Sequence, residues 1–428
     1  MTDIIQLYSY FINCSGISTD TRNITPGCMF VALKGERFDA NTFAAQALQL
    51  GASYVVIDNP AFKTDGRMLL VPDGLTALQQ LALHHRRQLG LPVIALTGSN
   101  GKTTTKELIN AVLGKKYTTT STIGNLNNHI GVPLTLLSFT KETEIGIVEM
   151  GANHQKEIAL LCSLAEPNFG YITNFGKAHL EGFGGFEGVI KGKSELYDYL
   201  RVQTKMAFVN LDDSIQHEKT KDLARYTFSA GTHNADVLLD TIEANPMVSL
   251  YYKNLHIQSN LIGLYNAANI SAAIAIGTYF NVPGELIKDA IEGYVPTNNR
   301  SQIIEKGSNH VILDAYNANP SSMAAAIDNF TQLEAKNKVA FLGDMFELGT
   351  ESREEHKKVI GLLADEDDIT VYFIGKDFYA NKINKGHTHF FEDFESLKAH
   401  LAEPNFIHKT ILVKGSRGMA LERILDLL

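Results

Sequence analysis

Val93-Ile-Ala-Leu-Thr-Gly98-Ser99-Asn100-Gly101-Lys102-Thr103-Thr104-Thr105 reads as a buried strand, a glycine-rich turn and the start of a helix, which continues as Lys106-Glu-Leu-Ile-Asn-Ala-Val-Leu113. Backbone N–H groups in such a turn point inward, and the helix behind it adds the positive end of its dipole, so the stretch is suited to phosphate. Gly98 and Gly101 admit close backbone approach, Lys102 reaches the β- and γ-phosphates of a nucleotide, and the Thr103 hydroxyl suits Mg²⁺. The standard loop is G-x-x-x-x-G-K-[ST]. Here Leu96 stands at its first glycine position and the glycine comes two residues later, at Gly98. The competing reading is a plain strand–helix turn with a solvated lysine. No Asn-Lys-x-Asp tetrad and no protein-kinase motif set accompanies the loop, which argues against a GTPase or a protein kinase.

Working outward, short apolar runs at 93–97, 146–150, 169–174 and 206–210 read as strands of a parallel sheet covered on both faces. A second set lies at 311–315, 339–343, 371–375 and 411–414. Helical patterns separate most of them, one spanning 321–336 behind Pro320 and two serines that can cap it. Strand–helix alternation at this spacing predicts doubly wound α/β sheets. Residues 235–258 alternate like strands and predict a small antiparallel addition. Breaks around 84–91 and 293–299 divide the chain into 1–84, 85–296 and 297–428.

Composition narrows the class. The 428 residues are 44% hydrophobic and 20% charged, enough apolar side chain for several domain cores and too much for a disordered chain. Lys and Arg number 38 against 47 Asp and Glu, a net charge of −9, which disfavours nucleic acid as a partner. The three cysteines, Cys14, Cys28 and Cys162, form no CxxC pair, so a disulfide framework is not expected and a reducing cytoplasm fits. No apolar run reaches the ~18 residues of a membrane span. The N-terminus lacks the pattern of a secretion signal, so a cytoplasmic protein with no membrane partner is expected. No surface stretch suggests a partner site, and a monomer is the default.

Other residues fall near the loop in this reading. Glu149 ends a strand, where a carboxylate sits in the ligand crevice of an open α/β sheet and suits Mg²⁺; the alternative is a helix cap. His179 follows the next strand as a second candidate ligand, or a solvated loop histidine. Lys191-Gly-Lys193-Ser-Glu-Leu-Tyr197 reads as the start of a helix with surface lysines, and physics alone does not select Lys193.

Taken together, the motifs resemble the Mur ligases, ATP-dependent amide-forming enzymes of peptidoglycan assembly. The family loop T-G-[ST]-x-G-K-[ST]-[ST] matches 97–104, including the displaced glycine. Further matches run through the chain in order. They are Asp20-Thr21-Arg22 with Lys34-Gly35-Glu-Arg-Phe38-Asp39, then Gly124-Asn125-Leu-Asn127-Asn128, then Val148-Glu149-Met-Gly-Ala-Asn153-His154. They continue with Asp314-Ala-Tyr316-Asn317-Ala-Asn319-Pro320, Gly343-Asp344-Met-Phe-Glu347-Leu-Gly349 and Val413-Lys414-Gly415-Ser416-Arg417. The likeness is greatest to the branch that joins D-alanyl-D-alanine to a UDP-N-acetylmuramoyl-tripeptide.

The resemblance implies three domains: a smaller N-terminal α/β domain for the UDP substrate, a central phosphate-loop domain for ATP, and a C-terminal Rossmann-like domain that closes over the site. It implies ATP and Mg²⁺ as cofactors, and Gly98, Ser99, Asn100, Gly101, Lys102, Thr103 and Thr104 as the phosphate site. Asn266 and Asn269 would face adenine, Arg300 the γ-phosphate and Asp314 the ribose. Thr103, Glu149, His179 and a carbamylated Lys193 would hold metal. Thr21, Arg22, Lys34, Gly35, Asn127 and Asn128 would serve the UDP substrate, and Tyr316, Asn317 and Asn319 the D-alanyl-D-alanine side. One departure stands out: the family writes G-x-H-N-x-x-N, and here Tyr265 replaces the histidine in Gly263-Leu-Tyr265-Asn266-Ala-Ala-Asn269. A folylpolyglutamate synthetase, another Mur ligase and a nucleotide-hydrolysing switch are the alternatives.

Overall fold

The computed structural model describes residues 1–231, 234–297, 299–401 and 406–428. Three main β-sheets lie in chain order. The first has four parallel strands in the order Ile17–Ser18, Met29–Val31, Tyr54–Ile57 and Met68–Leu70, with a two-stranded hairpin (Lys34–Gly35, Phe38–Asp39) beside it. The second has nine strands. Its parallel part places Val93–Thr97 between Phe169–Ile172 and Ile145–Glu149, so the phosphate loop leaves the sheet flanked on both sides. The third has six strands, all parallel except the edge strand Gln302–Lys306, which runs antiparallel to Asn309–Asp314.

All of the strands expected by apolar run are present, with ends moved by at most two residues; Val93–Thr97 and Met206–Asn210 have the expected limits. Their side chains are buried because helices cover both faces. The alternating stretch forms Val237–Ala244, Met247–Tyr252 and Leu255–Ile262, antiparallel to one another and joined to the central sheet through Ala224–Ser229. The helix after Asn319 runs Pro320–Gln332, and Asn319 rather than a serine is its N-cap.

One expectation about the breaks changes. Residues 84–89 are not a linker: the helix Gly74–Leu89 starts on Asp73, which accepts from Thr76 N, and ends only at Gly90, in the left-handed region at φ 63°. Its apolar face carries Leu78 and Leu81 into the same core as Val132, Leu136 and Leu161 of the central unit. Its buried Arg86 donates to Ala165 O at 3.0 Å, Glu166 O at 3.1 Å and Asn168 Oδ1 at 2.9 Å. The helix therefore docks the N-terminal sheet onto the central one. At 293–299 the helix Gly284–Gly293 ends, residue 298 lies outside the described residues, and the strand Gln302–Lys306 follows.

The helix expected to begin at 191 runs Phe186–Val202, which puts Lys193 in its middle on the buried face. The surface-lysine reading fails at this position: Lys193 is 1% exposed.

Candidate active site

The loop closes on itself through backbone constraints before any ligand is considered. Gly98 has φ 141° and Gly101 φ 78°, and a Cβ at Gly98 would lie 2.0 Å from Thr173 Oγ1. At Gly101 it would meet Asn269 Oδ1 at 2.6 Å. The strand end Thr173–Asn174 braces the loop: Thr173 Oγ1 donates to Asn100 O at 2.6 Å, and Asn174 Oδ1 accepts from Asn100 N at 3.1 Å. Ser99 Oγ donates to Gly176 O at 2.7 Å. Lys102 curls back over the loop and donates to Gly98 O at 2.8 Å. Desolvation pulls its ammonium below the ordinary lysine range, with Arg300 adding to the effect and Glu149 opposing it.

Asn266 and Asn269 are buried in a polar chain behind the loop. Thr105 Oγ1 donates to Asn269 Oδ1 at 3.0 Å, Asn269 Nδ2 to Asn266 Oδ1 at 2.8 Å, and Asn266 Nδ2 to Ile262 O at 2.8 Å. Both amides thus hold the loop and its helix together. Tyr265, at the position of the family histidine, pairs with Ser301 Oγ at 3.0 Å.

These elements line one cleft of about 1070 Å³ between the central and C-terminal units. Glu149 is 2% exposed. One of its oxygens accepts from Asn127 Nδ2 at 2.8 Å, and the other, Oε2, is buried with no partner. A buried orphan oxygen is the kind of group a bound cation would satisfy. Asn128 lines the same wall, and its Oδ1 accepts from Gly131 N, at the start of the helix Gly131–Leu137, at 2.9 Å. His179, in the left-handed region at φ 54°, pairs through Nδ1 with Glu347 of the C-terminal unit. Desolvation holds its ring below the ordinary histidine range, against the pull of Glu347.

Lys193 lies beneath the cleft wall. Its Nζ donates to Ala152 O at 3.1 Å and sits 5.2 Å from the Phe183 ring centroid. Burial lowers its basicity well below the ordinary lysine value, and nearby Lys102 adds to this. Among the described residues no cluster of three or more His, Cys, Asp or Glu is placed to hold a metal ion.

The C-terminal unit supplies the opposite wall. Arg300 stacks its guanidinium 3.6 Å from the Tyr316 ring centroid and leaves Nε buried without a partner. Asp314 is engaged by Lys414 at 2.5 Å and accepts from Ser301 N at 3.2 Å. Asn319 Nδ2 donates to Asn100 Oδ1 at 2.7 Å, so the two units touch at the phosphate loop itself. Lys177 and Glu355 add an ion pair across the same boundary at 2.7 Å.

The cleft therefore gathers Ser99 to Thr104, Asn127, Asn128, Glu149, His179, Asn266, Asn269, Arg300, Asp314, Tyr316, Asn317 and Asn319. Thr21, Arg22, Lys34 and Gly35 are not in its lining. Arg22 is bound to Asp20 at 2.6 Å, and Lys34 to Asp58 at 2.7 Å, on the N-terminal unit. Sequence reasoning assigned no role to Thr173, Asn174, Glu347, Lys414 or Arg417. Thr173 and Asn174 fall at the end of an expected strand and the other three inside the family motifs, but nothing local separates a bracing side chain from a solvated one.

Three family models match in order: Mur ligase family, catalytic domain, over residues 13–86; Mur ligase middle domain over 96–277; and Mur ligase, glutamate ligase domain, over 299–417. The chain is 37% identical to the UDP-N-acetylmuramoyl-tripeptide–D-alanyl-D-alanine ligase of Bacillus subtilis, over 96% of its own length and 92% of that protein. It is 37% identical to the enzyme of the same name from Escherichia coli, over 99% and 96%. A crystal structure of MurF from Acinetobacter baumannii superposes with a TM-score of 0.85 at 32% identity, covering 99% of this chain and 98% of that one. The Thermotoga maritima MurF structure in complex with ADP superposes at 0.83 and 26% identity, covering 100% and 98%. With its motifs gathered around one cleft and relatives matching from end to end, the chain belongs to the Mur ligase family.

Proposed function

We propose that the chain joins D-alanyl-D-alanine to UDP-N-acetylmuramoyl-tripeptide at the expense of ATP, giving the UDP-N-acetylmuramoyl-pentapeptide, ADP and phosphate in peptidoglycan assembly. The observation that carries the reading is the cleft: the phosphate loop of one unit faces Arg300, Tyr316 and Asn319 of another, in a chain whose full-length relatives bear that name.

The free carboxylate of the tripeptide attacks the γ-phosphate and forms an acyl phosphate, which the dipeptide amine then opens with loss of phosphate. The first step brings an anion onto a polyanion, so its barrier is largely electrostatic. Lys102 and Arg300 place two cations at the loop, and the loop N–H groups add fixed dipoles. Arg300 Nε, buried and unpartnered, is held ready by its stack on Tyr316. The C-terminal wall keeps water from the acyl phosphate, which would otherwise hydrolyse. Residues 1–84 would hold the UDP end through Thr21, Arg22, Lys34 and Gly35, 85–296 the ATP, and 297–428 the incoming amine.

The orphan oxygen of Glu149 and the Thr103 hydroxyl, both on the cleft, would give Mg²⁺ hard oxygen donors, and His179 with Lys193, whose charge reaches that histidine, would be further members. When bound, Mg²⁺ neutralises phosphate charge. A neutral Lys193 amine suits carbamylation: its nitrogen bonds to the carbon of CO₂ and releases a proton, turning an ill-placed cation into an anion with two oxygens.

The test is phosphate release. With ATP and Mg²⁺ present, release should require both UDP-N-acetylmuramoyl-tripeptide and D-alanyl-D-alanine, and mass spectrometry should find the pentapeptide nucleotide. An equal rate with ATP alone would identify a hydrolysing switch instead.

A further inference from the structure

Among the described residues, the charges of the cleft leave one cation unaccounted for. Lys102 is folded onto the phosphate loop, Lys414 is paired with Asp314, and Arg300 is stacked on Tyr316. Arg417 also lines the cleft, and its side chain is exposed. Among the described residues its side chain is met by Tyr316: the guanidinium carbon lies 5.3 Å from the ring centroid, and an N–H donates to the hydroxyl at 3.5 Å. Among the described residues no carboxylate pairs with it.

The backbone beneath Arg417 is fixed. Ser416 N donates to Asp344 O at 3.2 Å, and Ser416 Oγ accepts from Phe346 N at 2.9 Å. On the other side, a Cβ at Gly418 would lie 2.8 Å from the Phe346 ring, so the chain there is packed without slack. An arginine on a rigid turn, with its planar fork open to a cleft, is arranged for a carboxylate that arrives with a ligand.

We propose that Arg417 binds the C-terminal carboxylate of the D-alanyl-D-alanine acceptor. The inference rests on the ligase reading above and adds a residue to it. Arg300 and Arg417 share the Tyr316 ring, and Arg300 belongs to the phosphate side of the cleft. An extended dipeptide spans about 7 Å. With its carboxylate on Arg417, its amine is carried back past Tyr316 toward the acyl phosphate. The selectivity this creates is for an acceptor that ends in a free carboxylate at dipeptide length.

The experiment compares D-alanyl-D-alanine with its C-terminal amide as acceptor for the full-length protein, with ATP, Mg²⁺ and UDP-N-acetylmuramoyl-tripeptide saturating. The unmodified protein should favour the acid by roughly 10- to 100-fold in kcat/KM, the worth of a charge-assisted hydrogen bond. Arg417→Ala should bring that ratio close to one by raising KM for the acid, with KM for ATP and for the nucleotide substrate unchanged. Arg417→Lys, which keeps the charge and loses the fork, should restore part of the preference. An alanine variant that keeps the full preference overturns the assignment, as does an unmodified protein that uses acid and amide equally. Absence of dipeptide-dependent phosphate release in the unmodified protein would bring down the ligase reading, and this inference with it.

Discussion

Lys193 is costly to keep as an ammonium: it is buried, meeting the Ala152 carbonyl and the Phe183 ring and, among the described residues, no carboxylate. Its folded pKa lies below the ordinary lysine value while the unfolded chain keeps that value. Between the two, the unfolded state binds more protons, so stability rises with pH across that window and is lowest below it. In CO₂-free buffer near neutral pH, Lys193→Met should therefore stabilise the fold, on the order of 1–3 kcal/mol, and flatten this dependence. The same variant should lose nearly all ligase activity while retaining ATP binding. Urea unfolding at several pH values and a nucleotide-binding assay check both halves; full activity would exclude the metal-side role. Lys102→Ala tests the lysine of the phosphate loop. It should lower kcat at least 100-fold with an unchanged unfolding midpoint, because the charge it offsets peaks in the transition state.

At the scale of elements, the helix Pro320–Gln332 shows how a cap can serve two purposes. Asn319 Oδ1 accepts from Ser322 N at 3.0 Å, and Ser322 Oγ accepts from Asn319 N at 3.1 Å, a reciprocal capping box. Its Nδ2 is left free to reach Asn100 of the phosphate loop. The two roles separate by substitution. Asn319→Ala should cost about 1 kcal/mol of stability and also impair ATP use. Asn319→Asp keeps the cap acceptor but loses the donor, so stability should stay near the starting value while kcat/KM for ATP falls roughly 10-fold. Equal activity of the aspartate variant and the unmodified protein would show that the Asn100 contact is dispensable.

For the whole molecule, the site is a property of two units in contact. The ion pair Lys177–Glu355, the Asn319–Asn100 hydrogen bond and the His179–Glu347 pair all cross from the central unit to the C-terminal one. A fragment of residues 85–296 carries the phosphate loop but lacks Arg300, Asp314 and Tyr316. It should bind ATP and make no pentapeptide nucleotide; product formation at the full-length rate would refute shared catalysis. On the other side, the helix Gly74–Leu89 shares a core with the central unit and buries Arg86 in its hydrogen bonds, so a cut at residue 85 crosses a structural element. The fragment is therefore better begun at Asp73, which keeps the whole helix with its cap.

Local chemistry made much of this legible from the sequence. Buried parallel strands are apolar throughout, and a loop that wraps phosphate needs Gly98 and Gly101 followed by Lys102 and Thr103, so both leave a signature in consecutive residues. The ordered motifs carried the family and, with it, residues no local rule selects. What the sequence left open depends on neighbours far away in the chain. Lys193 looks like any helical lysine until the fold places Ala152 and Phe183 over it. Residues 84–91 look like a break until Arg86 finds the carbonyls of 165 and 166. Asn266 and Asn269 carry the expected adenine motif, yet only packing shows them bracing the loop through Thr105. Arg417 is one exposed arginine among several until the tertiary structure sets it beside Tyr316 in a cleft, with no carboxylate among the described residues to meet it. Burial and pairing are sums over contacts between distant segments, and only the folded chain brings those segments together.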